Sequence, residues 1–146
     1  MKLLLQRVSE ASIRVDGSII GEIGRGLLVF VAFEKGDTRQ VMEKLGAKLL
    51  AYRIFSDKSD RMNLNVQQVA GALLVVSQFT LAANTKKGLR PSFTPAAEPA
   101  EGLRLYSEFV DWLSQQNIQL ATGQYGADMK VSLTNDGPVT FLLDSQ

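Results

Sequence analysis

The chain contains no cysteine and no histidine. Without Cys it has no disulfide framework, no thiolate nucleophile and no zinc–thiolate cluster. Without His it lacks the usual general base near neutral pH and the commonest transition-metal ligand. Ser-His-Asp and Cys-His chemistry are therefore excluded. An enzyme made from this chain works with carboxylates, lysines, hydroxyls, backbone groups or atoms of its own substrate. No apolar run approaches the roughly 20 residues that a membrane helix needs. The opening Met1-Lys2-Leu3-Leu4-Leu5-Gln6-Arg7 turns polar too early for a secretory leader, so the expected location is cytoplasmic. Charge of one sign is lacking as well: 16 basic and 15 acidic side chains leave a net +1. The composition does not announce a nucleic-acid surface as a strongly basic domain would, and local clustering stays open. The densest basic run, Lys86-Lys87-Gly88-Leu89-Arg90, reads by itself as a solvated loop.

What is present is globular. The 146 residues, 45% hydrophobic and 21% charged, fit one domain over 1–146. Residues 2–8 and 11–15 are strand-like on either side of Ser9-Glu10, as in one long strand with a bulge. Asp16-Gly17 is the dipeptide of a type I′ hairpin turn. A return strand over Ser18 to Ile23 and a buried strand over Leu27 to Phe33 follow, giving a three-stranded antiparallel meander. Asp37 with Gln40 reads as a capping box for a helix over Thr38 to Tyr52. Ile54-Phe55 fits a short edge strand, 57–63 a loop and Ala72 to Gln78 a second buried strand.

Leu81 to Pro99 has no periodicity, and a loop of that length in a small domain is often functional. The spacing then predicts a helix from Ala100 to Gln116 that buries Leu103, Tyr106, Phe109, Val110 and Leu113, with Asn117 as a left-handed stop. Strands at Ile118 to Ala121, Met129 to Thr134 and Val139 to Leu143 complete the chain. The fold class is α+β, with antiparallel or mixed β-sheets forming a barrel-like core and two helices packed on it. Two helices can cover one sheet face and leave another apolar, which a homodimer would bury.

Two segments could carry chemistry. The strand at 72–76 runs into Ser77-Gln78-Phe79-Thr80, where two hydroxyls, an amide and an aromatic ring can line a pocket. Local hydroxyl-to-backbone bonding at a turn explains the same residues. Gly137-Pro138 combines an unobstructed backbone with a fixed φ and a missing N–H, and equally fits an ordinary turn. Arg90-Pro91-Ser92-Phe93 offers an arginine fork suited to phosphate. Met129 and Phe79 are pocket-lining candidates, although core packing accounts for an apolar residue just as well. The carboxylates show no spacing for a metal or a glycosidase pair, and no cofactor motif is found.

Taken together, Ser77-Gln78-Phe79-Thr80-Leu81, Gly88-Leu89-Arg90-Pro91-Ser92-Phe93 and Asn135-Asp136-Gly137-Pro138-Val139-Thr140 resemble the signature blocks of the D-aminoacyl-tRNA deacylases. Met1 to Val8 and Gly126-Ala127-Asp128-Met129-Lys130-Val131 fit too, so the resemblance spans the chain in order. Tyr125 departs from it, since Phe is the commoner residue there. The resemblance implies a cytoplasmic homodimer that hydrolyses the ester between a D-amino acid and tRNA, with no metal or cofactor. It implies that Gly137-Pro138 is cis and enters the partner subunit's pocket to read chirality. It also implies that Ser77, Gln78, Phe79 and Thr80 form the catalytic floor, with Met129 beside the substrate. Glycyl-tRNA, lacking a side chain to exclude, is an expected second substrate. Lys86, Lys87 and Arg90 are the candidates for tRNA contact. On residues alone, a non-catalytic tRNA-binding module and a small-molecule hydrolase remain open.

Overall fold

The spine of the fold is β1 (Lys2–Val15), which pairs along both edges. One edge carries β8 (Lys130–Asp144) over nearly its whole length. The other carries β3 (Gly26–Ala32) against Lys2–Val8 and β2 (Ser18–Ile23) against Ala11–Val15. The computed structural model describes residues 1–146. Strict alternation would keep one parity of β1 inside. Instead Leu3 and Leu5 are buried, then Val8, then Ala11 and Ile13. Each change of parity falls at a register shift against β8, between Gln6 and Val8 and between Val8 and Glu10. The bulge expected at Ser9-Glu10 is present, with a second one a step earlier.

The expected meander is corrected. Strand β3 pairs with β1, not with β2, although the pairing is antiparallel as foreseen. The hairpin turn itself is as read, with Asp16 and Gly17 at φ 49° and 80°, the positive values a type I′ turn needs. Strands β6 (Ala72–Ser77) and β7 (Gln119–Thr122) add parallel to β3, in the order β2-β1-β3-β6-β7. The sheet curls until Gly21 of β2 faces Thr122 of β7, where an added Cβ would lie 2.9 Å from the Thr122 carbonyl oxygen. The result is a mixed sheet nearly closed into a barrel. A small hairpin, β4 (Phe55–Ser56) with β5 (Met62–Leu64), lies apart and takes the end of the expected 57–63 loop into a strand.

Helix α1 (Arg39–Ala51) and helix α2 (Pro99–Ser114) cover one face of the sheet. The N-cap of α1 is Thr38, whose side chain accepts from Val41 N, and not Asp37. Asp37 has stronger partners: its carboxylate takes the Met1 amino group at 2.8 Å and Glu34 N at 2.6 Å. Helix α2 buries Gly102, Leu105, Tyr106, Phe109 and Leu113. Leu103, expected inside, is exposed, because the helix is rotated to present Leu105 instead. Asn117 stops the chain at φ 54° as read.

The sheet alternates between two cores. Leu27, Val29, Val31, Leu73 and Val75 pack under the helices with Phe109 and Phe55, while Leu28, Ala72, Leu74 and Val76 fill the barrel side with Val8 and Ile13. Burying each such side chain stabilises the fold by about 1.5–3 kcal/mol. The two strands expected at 129–134 and 139–143 are one strand, β8. Strand β1 pairs with both halves, and Asp136, Gly137 and Pro138 stand out between them as an exposed bulge. No helix is long and apolar enough to cross a membrane.

Candidate active site

Strands β3, β6 and β7 run parallel, and Ser77 closes the carboxyl end of the middle one. The chain then turns in a short 3₁₀ helix, Phe79–Ala82, whose second half takes the start of the loop expected from Leu81. Gln78 N donates to Val31 O at 2.8 Å, so β3 fixes where β6 ends. Within the turn, Leu81 N bonds Gln78 O and Ala83 N bonds Thr80 O, and Gln78 supplies no side-chain cap. The leading N–H groups of such a turn, here those of Phe79 and Thr80, have no partner within it.

This strand end opens onto a cleft of about 450 Å³, within the range of small-ligand sites. Ser77, Gln78 and Phe79 form one side, and the segment from Tyr125 to Met129, with Val131, forms the other. The expected residues Ser77, Gln78, Phe79 and Met129 are thus brought together. Thr80 stands just outside the lining, with its hydroxyl accepting from the Gln78 side-chain amide. Phe79 is 56% exposed, a large apolar surface for a ring, and its centroid lies 5.0 Å from that of Phe93. That contact carries the Gly88–Phe93 block to the rim. The rim loop is closed by a bridge between Asn84 and Ser92, and Lys86, Lys87 and Arg90 on it are all exposed.

Tyr125, Pro99 and Asp128 also line the cleft and were not singled out as site residues. Pro99 and Tyr125 carry no local signature, because only the fold places the start of α2 beside the segment that leads into β8. Asp128 accepts from Lys130 Nζ at 3.0 Å. Burial pushes the Tyr125 phenol above its usual range, so it stays a neutral donor at physiological pH. Its ring packs on that of Tyr106 at 5.6 Å. The Tyr106 hydroxyl donates to Val75 O at 3.0 Å, and burial raises its pKa to about 12.

Gly137 and Pro138 are not in this cleft. They occupy the exposed bulge of β8, joined by a cis peptide as the resemblance implied. The bulge is held from below. Arg7 Nε donates to Asp136 O at 2.8 Å and Arg7 Nη1 to Ile54 O at 2.9 Å. Asn135 bonds Val139 and Thr140 across the base. A larger hollow of about 700 Å³ lies between β1, β2 and β8, lined by hydroxyls with Glu10 and Glu22. It contains none of the expected site residues, and its two carboxylates disfavour the anionic end of an RNA. No group of three or more acidic side chains is gathered to hold a metal ion.

A hydroxyl, an amide, an aromatic ring and backbone donors gathered at a strand end are groups that hydrolysis of an activated ester can use. Comparison with known proteins gives the family of the chain. Residues 4–144 match the family described as D-Tyr-tRNA(Tyr) deacylase. A D-aminoacyl-tRNA deacylase of Saccharophagus degradans is 58% identical over 98% of this chain and 99% of its own length. One from a Marinomonas species is 59% identical over 99% of this chain and 100% of its own. Among solved structures, one titled c-Myc DNA Unwinding Element Binding Protein is 36% identical, with a TM-score of 0.96 over 100% of this chain and 99% of that one. A probable eukaryotic D-amino acid tRNA deacylase has a TM-score of 0.82 over 97% of each chain at 17% identity, a likeness of fold alone. The chain belongs to the D-aminoacyl-tRNA deacylase family, hydrolases acting on the ester bond of aminoacyl-tRNA.

Proposed function

We propose that this protein hydrolyses D-aminoacyl-tRNA as a cytoplasmic homodimer, serving as a proofreading step of translation, and that its selectivity comes from backbone and not from side chains. The observation that carries this is the cleft itself, in which Ser77, Gln78 and Phe79 face Tyr125 and Met129. The aminoacyl group and terminal adenosine would lie there, on the floor made by Ser77 to Thr80.

The chemistry asks little of side chains. An aminoacyl ester is already activated, and positioning alone contributes up to ~7–11 kcal/mol in ideal cases. The N–H groups of Phe79 and Thr80 are suited to an oxyanion, each well-placed donor contributing roughly 2.7–4 kcal/mol. The ribose 2′-hydroxyl beside the ester is in place to help activate the water or the carbonyl. Thr80 serves as a hydrogen-bonding group and not as a covalent nucleophile, since a nucleophilic hydroxyl needs an adjacent base and its partner here is the Gln78 amide. Lys86, Lys87 and Arg90 on the rim loop would meet the acceptor stem.

Within one protomer Gly137 and Pro138 lie outside the cleft. Their place on an exposed bulge supports their insertion into the cleft of a second copy. There their carbonyls would leave no space for an L side chain, whichever residue it belongs to. Glycyl-tRNA has no side chain to exclude and is cleaved as well. Deacylation of D- and L-tyrosyl-tRNA, each with and without chelator, is the test. The expected result is cleavage of the D-ester alone, unchanged by chelator. Equal cleavage of both would refute the backbone filter, and accumulation of an acyl-Thr80 ester would refute the role given to Thr80.

A further inference from the structure

We propose that Gly102 and Gly123 are positioning residues for the cleft: each leaves space behind one wall residue, Tyr125 or Met129, so that the wall does not intrude on the substrate. This rests on the cleft being the deacylation site. Neither glycine lines it. Gly102 lies buried inside α2, where glycine is among the poorest helix formers. A Cβ at Gly102 would overlap the Tyr125 hydroxyl oxygen and reach Cζ at 3.4 Å. A Cβ at Gly123 would lie 2.6 Å from the Met129 sulfur and 3.3 Å from Ile13 Cδ1. The same device thus serves the two largest side chains of the Tyr125–Met129 wall.

The wall has little room to retreat in another direction. Tyr125 packs against the Tyr106 ring at 5.6 Å, and Tyr106 is fixed by its hydroxyl bond to Val75 O at 3.0 Å. Gly123 N donates to the same carbonyl, also at 3.0 Å. Both supports therefore hang from Val75, two residues before Ser77 on the opposite wall. The open side of Tyr125 is the cleft that it lines. A side chain at position 102 turns the phenol toward that space. The consequence is a narrower site, felt most by the bulkiest aminoacyl groups.

The test is a double-mutant cycle of Gly102→Ala and Tyr125→Phe, with steady-state deacylation of D-tryptophanyl- and D-alanyl-tRNA and a thermal melt for each protein. With Tyr125 in place, Gly102→Ala is expected to raise KM for the D-tryptophanyl ester about tenfold, short of the ~100-fold that a 1 Å misplacement can cost. It should change kcat and the D-alanyl reaction much less. In the Tyr125→Phe background, where the hydroxyl is gone, the same substitution should cost at most about twofold. If Gly102→Ala does not fold, Gly123→Ala presses the same wall at Met129, and Met129→Ala should then restore binding of the bulky ester. An equal effect of Gly102→Ala in both backgrounds, or equal losses on large and small esters, would overturn the proposal. If the unsubstituted protein cleaves neither ester, the deacylase assignment of the cleft fails instead.

Discussion

Asn135 and Val139 are joined twice: the Asn135 Oδ1 accepts from Val139 N at 2.7 Å, and its Nδ2 donates to Val139 O at 3.2 Å. The three residues between that pair have no partner on β1, so one side chain replaces the missing ladder. Asn135→Ala is expected to cost about 1–2 kcal/mol of stability through the orphaned backbone groups. It should also lower kcat/KM by at least about tenfold, because the bulge carrying Gly137-Pro138 is no longer aimed. Asn135→Asp keeps the acceptor and should fall between the two. Activity retained in Asn135→Ala would separate this bulge from the reaction.

Arg7 holds the same bulge from the neighbouring strand, with two nitrogens on two carbonyls. Lysine offers a point charge and cannot span both acceptors. Arg7→Lys is expected to reduce kcat/KM by roughly tenfold, with a stability loss within about 1 kcal/mol. Comparing deacylation rates with denaturant midpoints distinguishes this from general destabilisation.

The Met1 amino group is buried against Glu34, Asp37 and Ser145. Removing one member of a buried ion pair leaves an uncompensated charge. Glu34→Ala should therefore destabilise the fold by about 3 kcal/mol, the low end for such a loss, since Asp37 still accepts from the amine. The check is a shifted denaturant midpoint at unchanged slope.

Tyr106 gives a pH prediction. Burial raises its pKa from 10.0 to about 12, so the folded state binds the phenolic proton more tightly than the unfolded chain. Its contribution to stability is fully present below pH 10 and is lost as pH rises through 12, the window set by those two values. Tyr106→Phe should flatten the alkaline limb across that window, by on the order of 2 kcal/mol. At neutral pH it should cost only about 1 kcal/mol for the bond to Val75 O.

Elements fixed by neighbours in sequence were the readable ones. The Asp16-Gly17 hairpin, both helices and the buried strand ending at Ser77 follow from turn chemistry and periodicity. What escaped depends on distant partners. Asp37 looks like an N-cap until Met1 is known to lie beside it, and Thr38 then takes the cap. Strand β3 belongs to β1 because β1 is long enough to pair with β2 and β3 on one edge, which no local pattern states. Gly137-Pro138 reads as the turn between two strands, whereas the side chain of Asn135 lets one strand continue through it. The same division holds at the site. Ser77 to Phe79 stand out because polar residues end an apolar strand. Tyr125 and Pro99 line the cleft only through the packing of α2 beside the chain that leads into β8.

In the proposed dimer the bulge of one copy completes the cleft of the other. Mixing two inactive proteins tests it directly, one impaired at Gln78 and Phe79 and the other at Gly137 and Pro138. After denaturation and joint refolding, half of the dimers are mixed, and each mixed dimer has one cleft with both parts intact. The account predicts recovery of about a quarter of the unsubstituted D-tyrosyl-tRNA deacylation rate, as expected for random pairing in a two-fold dimer. A mixture no more active than its separate components would contradict it.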